Sequence, residues 1–263
     1  MEVDYYKKLF QTIGNIIKLI EKDDMPKYLL FLENAFPYMD NYNYHEGMKG
    51  IIQELKVLLK TKSIGTNSDR ALLLDFQATL EIKPEKAIKL EKDALAQIEN
   101  ITADNARLVS NLHANLGGLY RMNGHPDLAR EHMEKSISLL DQFNLLHIND
   151  SIPQIANYAM FLTEQQEPER GISELQKLSG IIKEYHSDDC LDYAKVQETL
   201  GTIYLMTANL PQAKTHFKRA FKIYEKIWAD EPEMIEAKYQ EIQELYPQIG
   251  FCIGKNLSGL LTK

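Results

Sequence analysis

The sequence predicts an all-α protein built as an α-solenoid of antiparallel helix pairs, and three observations support this prediction. Residue types recur at a spacing of 42, apolar residues follow the helical period, and no stretch alternates polar and β-branched residues as a strand would. The recurrence is clearest for small residues, which stand at Gly117, Ala159 and Gly201 and again at Ala129, Gly171 and Ala213. Small side chains at both places would let the two helices of a pair approach each other closely.

The first sixty residues are predicted to form three helices, at 2–21, 25–37 and 43–60. One face of the first helix is apolar, with Leu9, Ile13, Ile16, Ile17 and Ile20. The register of the repeat is not found here, and the polar stretch from Lys60 to Asn67 separates this portion from the rest. We therefore expect residues 1–60 to form an atypical N-terminal helical cap.

The repeat array is predicted over residues 68–228 as four helix pairs, followed by a C-terminal capping helix and tail at 229–263. The predicted pairs are 68–82 with 85–99, 104–122 with 126–142, 152–165 with 168–185, and 189–207 with 211–228. Proline is tolerated at helix starts and is expected at or just before each second helix, at Pro84, Pro126, Pro168 and Pro211. The expected N-cap residues of the first helices are Ser68, Asp104, Ser151 and Ser187.

These residues resemble the tetratricopeptide repeat family. One copy reads Asn115-Leu116-Gly117-Gly118-Leu119-Tyr120, followed by Gly124, Ala129, Met133 and Ser136. A second reads Leu200-Gly201-Thr202-Ile203-Tyr204, followed by Ala213, Phe217 and Ala220. A weaker copy has Tyr158-Ala159 with Leu162, Gly171 and Leu175, and a degenerate one has Ala87 with Ala94. The period of 42 is similar to that of kinesin light chains and of bacterial peptide-binding regulators. The resemblance implies a right-handed superhelix.

The first repeat departs from this pattern because Asp75 occupies the position that corresponds to Gly117 and Ala159. Two explanations are open: the repeat contains a gap, or its helices pack more loosely.

The resemblance also implies a peptide-binding concave groove lined by the first helices. In similar repeats an asparagine before the recurring leucine binds the peptide main chain, and Asn115, Asn157 and then Thr199 hold that position here. The other expected groove residues are Asn111, Arg121, Met160, Glu164, Glu198 and Thr202. The alternative is that the asparagines face solvent or bond to a neighbouring helix.

Composition favours a cytoplasmic protein without nucleic-acid or membrane binding. The net charge is −8, with 29 acidic and 21 basic residues after residue 66, and such a surface repels phosphates. The acidic start of the chain does not resemble a secretory signal, and no apolar run is long enough to span a bilayer. Two distant cysteines, Cys190 and Cys252, are expected to be reduced thiols.

We expect a protein or peptide-binding scaffold and no enzyme, cofactor or metal site. No phosphate loop, nucleophile motif or metal-ligand spacing is present, including in His186-Ser187-Asp188-Asp189-Cys190. An alternative is the sensor or scaffold portion of a larger bacterial transcriptional regulator or signalling NTPase, and a remote one is a hydrolase on a helical scaffold. A homodimer through the terminal helices is also possible. The i, i+4 row of Lys214, Lys218, Lys222 and Lys226 is either a solvated face or a surface for an acidic partner.

Overall fold

The computed structural model describes residues 25–41, 44–61, 65–148 and 150–245, and every regular element within these ranges is an α-helix. The helices are α1 (Met25–Asn41), α2 (His45–Thr61), α3 (Asn67–Thr79), α4 (Pro84–Leu95), α5 (Ala106–Met122), α6 (Pro126–Gln142), α7 (Ser151–Glu164), α8 (Pro168–Tyr185), α9 (Leu191–Met206), α10 (Leu210–Ile227) and α11 (Pro232–Leu245). The helix predicted at 2–21 lies outside the described residues. None of these eleven helices is both long and apolar enough to cross a bilayer.

The helix boundaries repeat with the predicted register. The second helices of the four pairs begin at intervals of one repeat period, at Pro84, Pro126, Pro168 and Leu210. Three of the first helices also end at intervals of one period, at Met122, Glu164 and Met206. The predicted prolines therefore stand where expected, in the first turn of each second helix.

The turns inside the last three pairs share one conformation. Gly124, Gln166 and Ala208 have positive φ angles of 75°, 65° and 58°. The next residue in each turn donates its N–H to the carbonyl of the residue five positions earlier. The three bonds run from His125 to Tyr120, from Glu167 to Leu162 and from Asn209 to Tyr204, with N···O distances of 2.7–2.9 Å. This is the Schellman arrangement that ends many helices. Glycine fits its left-handed position without strain, whereas Gln166 and Ala208 adopt it at a cost.

The predicted N-cap residues are wrong. The residues at the N-cap positions of α3, α5, α7 and α9 are Thr66, Asn105, Asp150 and Cys190, where Ser68, Asp104, Ser151 and Ser187 were expected. At α3 the Thr66 hydroxyl accepts from the Asp69 N–H, and the Asp69 carboxylate accepts from the Thr66 N–H, which is a capping box. At α9 the Cys190 sulfur accepts from the Tyr193 N–H. The helices begin one or two residues from their predicted starts, so each expected serine or aspartate is displaced from the capping position.

The described helices form two compact units, and the division falls within α6, after residue 132. In the N-terminal unit α3 packs against α1, α2, α4 and α5. In the C-terminal unit α9 packs against α7, α8 and α10, and α10 packs against α11. Within each unit a first helix thus contacts its own second helix and the first helix of a neighbouring pair, as stacked pairs require.

Small residues stand where two helices approach each other closely, as predicted. A Cβ atom at Gly171 would lie 2.6 Å from the carbonyl oxygen of Ala159, which is backbone on the facing helix. A Cβ atom at Gly201 would lie 2.9 Å from the ring of Phe217. Gly117 is also buried, and Ala87, Ala129 and Ala213 have at most 1% of their surface exposed.

The repeat that contains Asp75 has no gap. Its second helix begins one full period before α6, so Asp75 does stand at the small-residue position of Gly117, Ala159 and Gly201. In the same register Glu91 on α4 stands where Met133, Leu175 and Phe217 stand on the later second helices. Two carboxyl groups therefore replace a small and a large apolar residue at this helix crossing.

Candidate functional site

A pocket of about 190 Å³ lies between α7 and α9 in the C-terminal unit. Its lining residues are Ala156, Asn157 and Met160 from α7 and Glu198, Thr199 and Thr202 from α9. The three positions on α9 are the three positions on α7 shifted by one repeat period. The pocket is thus formed by equivalent surfaces of two successive repeats, and five of the predicted groove residues meet in it.

Helical spacing explains why these residues line the pocket. On α9 the side chains of Val196, Gln197, Leu200 and Ile203 are buried in the core, which leaves positions 198, 199 and 202 on the side of the helix away from the core. On α7 Ile155, Tyr158, Ala159 and Leu162 are buried in the same way. The recurring apolar pattern of each helix therefore determines which side chains are left at the pocket.

Asn157 offers an unused amide at the pocket. Its side chain is exposed and makes no hydrogen bond to any described residue. Met160 is partly buried against the core, so the pocket joins an apolar thioether to a free amide. The Thr199 hydroxyl donates to the Lys195 carbonyl at 3.0 Å and keeps an acceptor lone pair.

Glu198 is held at the pocket by two partners from the next helices. Its Oε2 accepts from the Tyr224 hydroxyl at 2.6 Å, and its Oε1 pairs with the Lys238 Nζ at 3.0 Å. Burial and the Glu198 charge raise the pKa of Tyr224. Burial alone would lower the pKa of Lys238, but the charges of Glu198 and Glu241 outweigh it and the pKa is raised. Lys238 thus stays charged, and the Glu198 carboxylate is fixed in place.

Asn115, at the equivalent position on α5 in the N-terminal unit, has a partner. Its amide Nδ2 donates to Oδ1 of Asp75 on α3 at 2.8 Å. The sequence left open whether the asparagines bond to a neighbouring helix, and Asn115 does so. It is therefore a less direct probe of peptide binding than Asn157.

The carboxyl groups of Asp75 and Glu91 are hydrogen-bonded to each other behind Asn115. Only 1% of the Glu91 surface is exposed, and no donor among the described residues reaches its Oε2. Burial raises the pKa of both groups, and the charge of Asp75 raises that of Glu91 further. A proton held by Glu91 supplies a donor for Asp75, so the pair carries one negative charge rather than two.

The remaining predicted groove residues are not in the pocket. Asn111 and Arg121 lie on α5 in the N-terminal unit and are partly buried. Glu164 is exposed at the last residue of α7. All three have interactions with other residues.

The sequence reasoning missed a recurring tyrosine–histidine stack. Tyr120 stacks on His132 with ring centroids 5.4 Å apart, and two periods later Tyr204 stacks on His216 at 5.3 Å. His132 Nδ1 is 2.9 Å from His113 Nδ1, and His216 Nδ1 is 2.9 Å from Gln197 Oε1. Burial lowers the pKa of both His132 and His216. The recurrence of both residue types after two periods is the signal in the sequence that identifies the stack.

The histidine, aspartate and cysteine residues before α9 have structural partners. Cys190 caps α9, Asp189 pairs with Lys226, and His186 Nε2 lies 3.1 Å from the His147 carbonyl. No group of three metal-ligating side chains occurs in the described ranges.

Comparison with known proteins supports the repeat assignment. A sequence model of the tetratricopeptide repeat family matches residues 151–226, which span α7 to α10. This segment consists of tetratricopeptide repeats, so the predicted family resemblance is confirmed. No curated protein matches the sequence.

Solved structures show the same fold. BtubC (BKLC) from P. vanneervenii is 19% identical, with a TM-score of 0.56 over 73% of this chain and 74% of that protein. A putative kinesin light chain from Podosopora anserina with nearly identical TPR-like repeats is 12% identical, with a TM-score of 0.55 over 74% of this chain and 96% of that one. The predicted fold class, an all-α solenoid of helix pairs, is confirmed.

Proposed function

We propose that this chain is a protein-interaction scaffold that binds an extended segment of a partner protein in the pocket between α7 and α9. The observation that carries the proposal is the free, exposed amide of Asn157 beside the apolar side chain of Met160. An amide can donate to and accept from a peptide bond whatever the side chains of the peptide are. Tetratricopeptide repeats generally serve protein interactions, which supports the same class of function.

The fixed carboxylate of Glu198 favours a bound segment that has polar groups. Because Tyr224 and Lys238 already engage both of its oxygens, Glu198 offers only its remaining lone pairs to a ligand. Thr199 and Thr202 add hydroxyl groups on the same side of the pocket. We infer that a bound segment places one apolar side chain against Met160 and its main chain against Asn157.

The test begins with peptides selected from a displayed random library by the full chain. Their affinities are then measured for Asn157→Ala, which removes the free amide, and for Thr202→Arg, which fills the pocket. Asn157→Ala should weaken peptide binding about 5- to 30-fold, because one or two hydrogen bonds to the peptide are lost. Thr202→Arg should weaken it further by steric exclusion.

Gln176→Ala is the matched control, because it removes an exposed amide from α8. It should leave the affinity within about twofold, as a surface change away from the site does. Circular dichroism would verify that all variants keep their helices. Selected peptides that bind Asn157→Ala and Thr202→Arg as tightly as the original chain would show that the pocket is not the binding site.

A further inference from the structure

A basic row runs along the exposed face of α10, which we call the lysine face. It consists of Lys214, Lys218, Lys222 and Lys226 at i, i+4 spacing, all exposed, with Leu210 at its start and Ile227 at its end. Leu210 has 50% and Ile227 41% of its surface exposed. The core-facing residues of α10, such as Phe217 and Tyr224, are on the other side of the helix.

Most of this positive charge has no partner within the described chain. Lys214, Lys218 and Lys222 form no ion pair with any described residue, and Lys226 forms one, with Asp189. Like charges four residues apart on a helix repel each other and destabilise it. The row therefore lowers the stability of α10. It also contrasts with the rest of the chain, because the whole chain has a net charge of −8.

The contact with Asp189 shows that a carboxylate can bind to this row. It lies in the loop before α9 and accepts a hydrogen bond from Lys226. That bond, together with the charges of Lys226 and Lys222, lowers the pKa of Asp189. A carboxylate thus already occupies the C-terminal end of the row, and three lysines remain available for others.

We propose that the lysine face of α10 binds an acidic helical segment of a partner protein. Residues four apart on a helix are separated by about 6 Å along its axis, so a partner helix with carboxylates at the same interval matches the lysines one to one. An apolar side chain at the start of such a segment would cover Leu210, which stands four residues before Lys214. The lysine face is on a second helix of its pair, whereas the pocket lies between first helices, so both partners could bind together.

Charge favours a protein partner over the other polyanions. A nucleic acid or an anionic membrane presents dense negative charge over a wide area, and the acidic remainder of this chain would be repelled by it. A single acidic helix is only about 10–12 Å across, so it contacts a narrow surface and meets less of the acidic remainder.

The experiment uses the full chain and a fluorescent helical peptide of about 18 residues, the length of α10, with glutamates at every fourth position. A second peptide carries glutamine at those positions. The test variant is Lys214→Glu/Lys218→Glu/Lys222→Glu, and the matched control is Lys83→Glu/Lys86→Glu/Lys89→Glu, three exposed lysines around α4. Both variants change the net charge equally.

The original chain and the control variant should bind the glutamate peptide, and the test variant should bind it about tenfold or more weakly because three attractive pairs become repulsive. Binding should fall with added salt, and the glutamine peptide should bind poorly. The proposal would be overturned if the chain bound the two peptides equally well, or if both variants lost the same affinity for the glutamate peptide. It would also be overturned if the chain bound single-stranded DNA or phosphatidylserine vesicles more tightly than the glutamate peptide. A salt-sensitive dimer of the chain that the test variant abolishes would be the fourth such result.

Discussion

Glu91 on α4 shares a hydrogen bond with Asp75 on α3 at a crossing where the other repeats place an apolar residue against a small one. Asn115 on α5 closes the group by donating to Asp75. A buried polar pair of this kind is stable only if its hydrogen bonds are satisfied, and here that requires a proton between the two carboxyl groups. Asp75 departs from the repeat pattern together with Glu91, and the two carboxyl groups replace the small and the large apolar residue of the other repeats.

The first prediction concerns the pH dependence of stability. The pKa of Glu91 is raised above its ordinary value of 4.5, chiefly by burial, so the folded chain holds a proton that the unfolded chain releases. The contribution of the Glu91 proton is complete below pH 4.5 and is lost as the pH rises through the raised pKa. Glu91→Gln keeps a donor for Asp75 and cannot titrate. Relative to the original chain it should gain up to about 1.4 kcal/mol of unfolding free energy per pH unit from pH 4.5 upward, until the pH passes the raised pKa.

Urea unfolding at a series of pH values measures this difference. Glu85→Gln, an exposed glutamate on the same helix, is the control and should follow the original chain. The pKa values of His132 and His216 are lowered, so their contribution is lost as pH falls below about 6.5 and is common to all three proteins. Parallel profiles for Glu91→Gln and the original chain would refute a shared proton.

The second prediction is that restoring the apolar pair stabilises the protein. Asp75→Ala with Glu91→Leu installs the residues of Ala159 and Leu175 at this crossing. Replacing a buried polar pair by packed apolar residues often gains about 1–3 kcal/mol, and Asn115 is exposed and can bond to water instead. Asp75→Ala alone should cost about 1–3 kcal/mol, because Glu91 then remains buried without its partner. Thermal and urea unfolding measure both changes. A double variant no more stable than the original chain would contradict the argument.

The helix register could be predicted from the sequence because small and large apolar residues recur at one period. The N-caps could not, since a shift of one or two residues in a helix start changes the capping residue, as at Thr66 and Cys190. The sequence indicated only one member of the carboxyl pair, Asp75. Glu91 lies one period before Met133, but whether it meets Asp75 and holds a proton depends on burial, which spacing alone does not report.

For the candidate site the sequence predicted a set of groove residues, and part of this set lies together in the structure. Five predicted residues line the pocket because the period places Asn157 and Thr199 at equivalent points. The partners of Asn115 and Glu198 were not predictable, because Asp75, Tyr224 and Lys238 come from other helices and break the repeat pattern.

The third prediction separates two helical glycines of α8. Gly171→Ala should destabilise the chain by about 1–3 kcal/mol, because the new methyl group meets the backbone carbonyl of Ala159, which cannot turn away. Gly180→Ala is the control: it has open space around it, and should stabilise the helix by about 0.5–1 kcal/mol. Urea unfolding measures both changes. Equal effects of the two substitutions would mean that α7 and α8 are not in close contact at Gly171.

The fourth prediction concerns the left-handed residues of the turns. Ala208 and Gln166 have positive φ angles that glycine adopts freely, as Gly124 does at the equivalent place. Ala208→Gly and Gln166→Gly should therefore each stabilise the chain by about 0.5–1 kcal/mol, whereas Gly124→Ala should destabilise it by a similar amount. Ala213→Gly, inside α10, is the contrasting control and should cost about 1 kcal/mol or more, because glycine there loses more backbone freedom on folding and leaves a buried methyl group missing. If Ala208→Gly and Ala213→Gly shift the urea midpoint in the same direction, the three turns do not share the Schellman conformation that the repeat register requires.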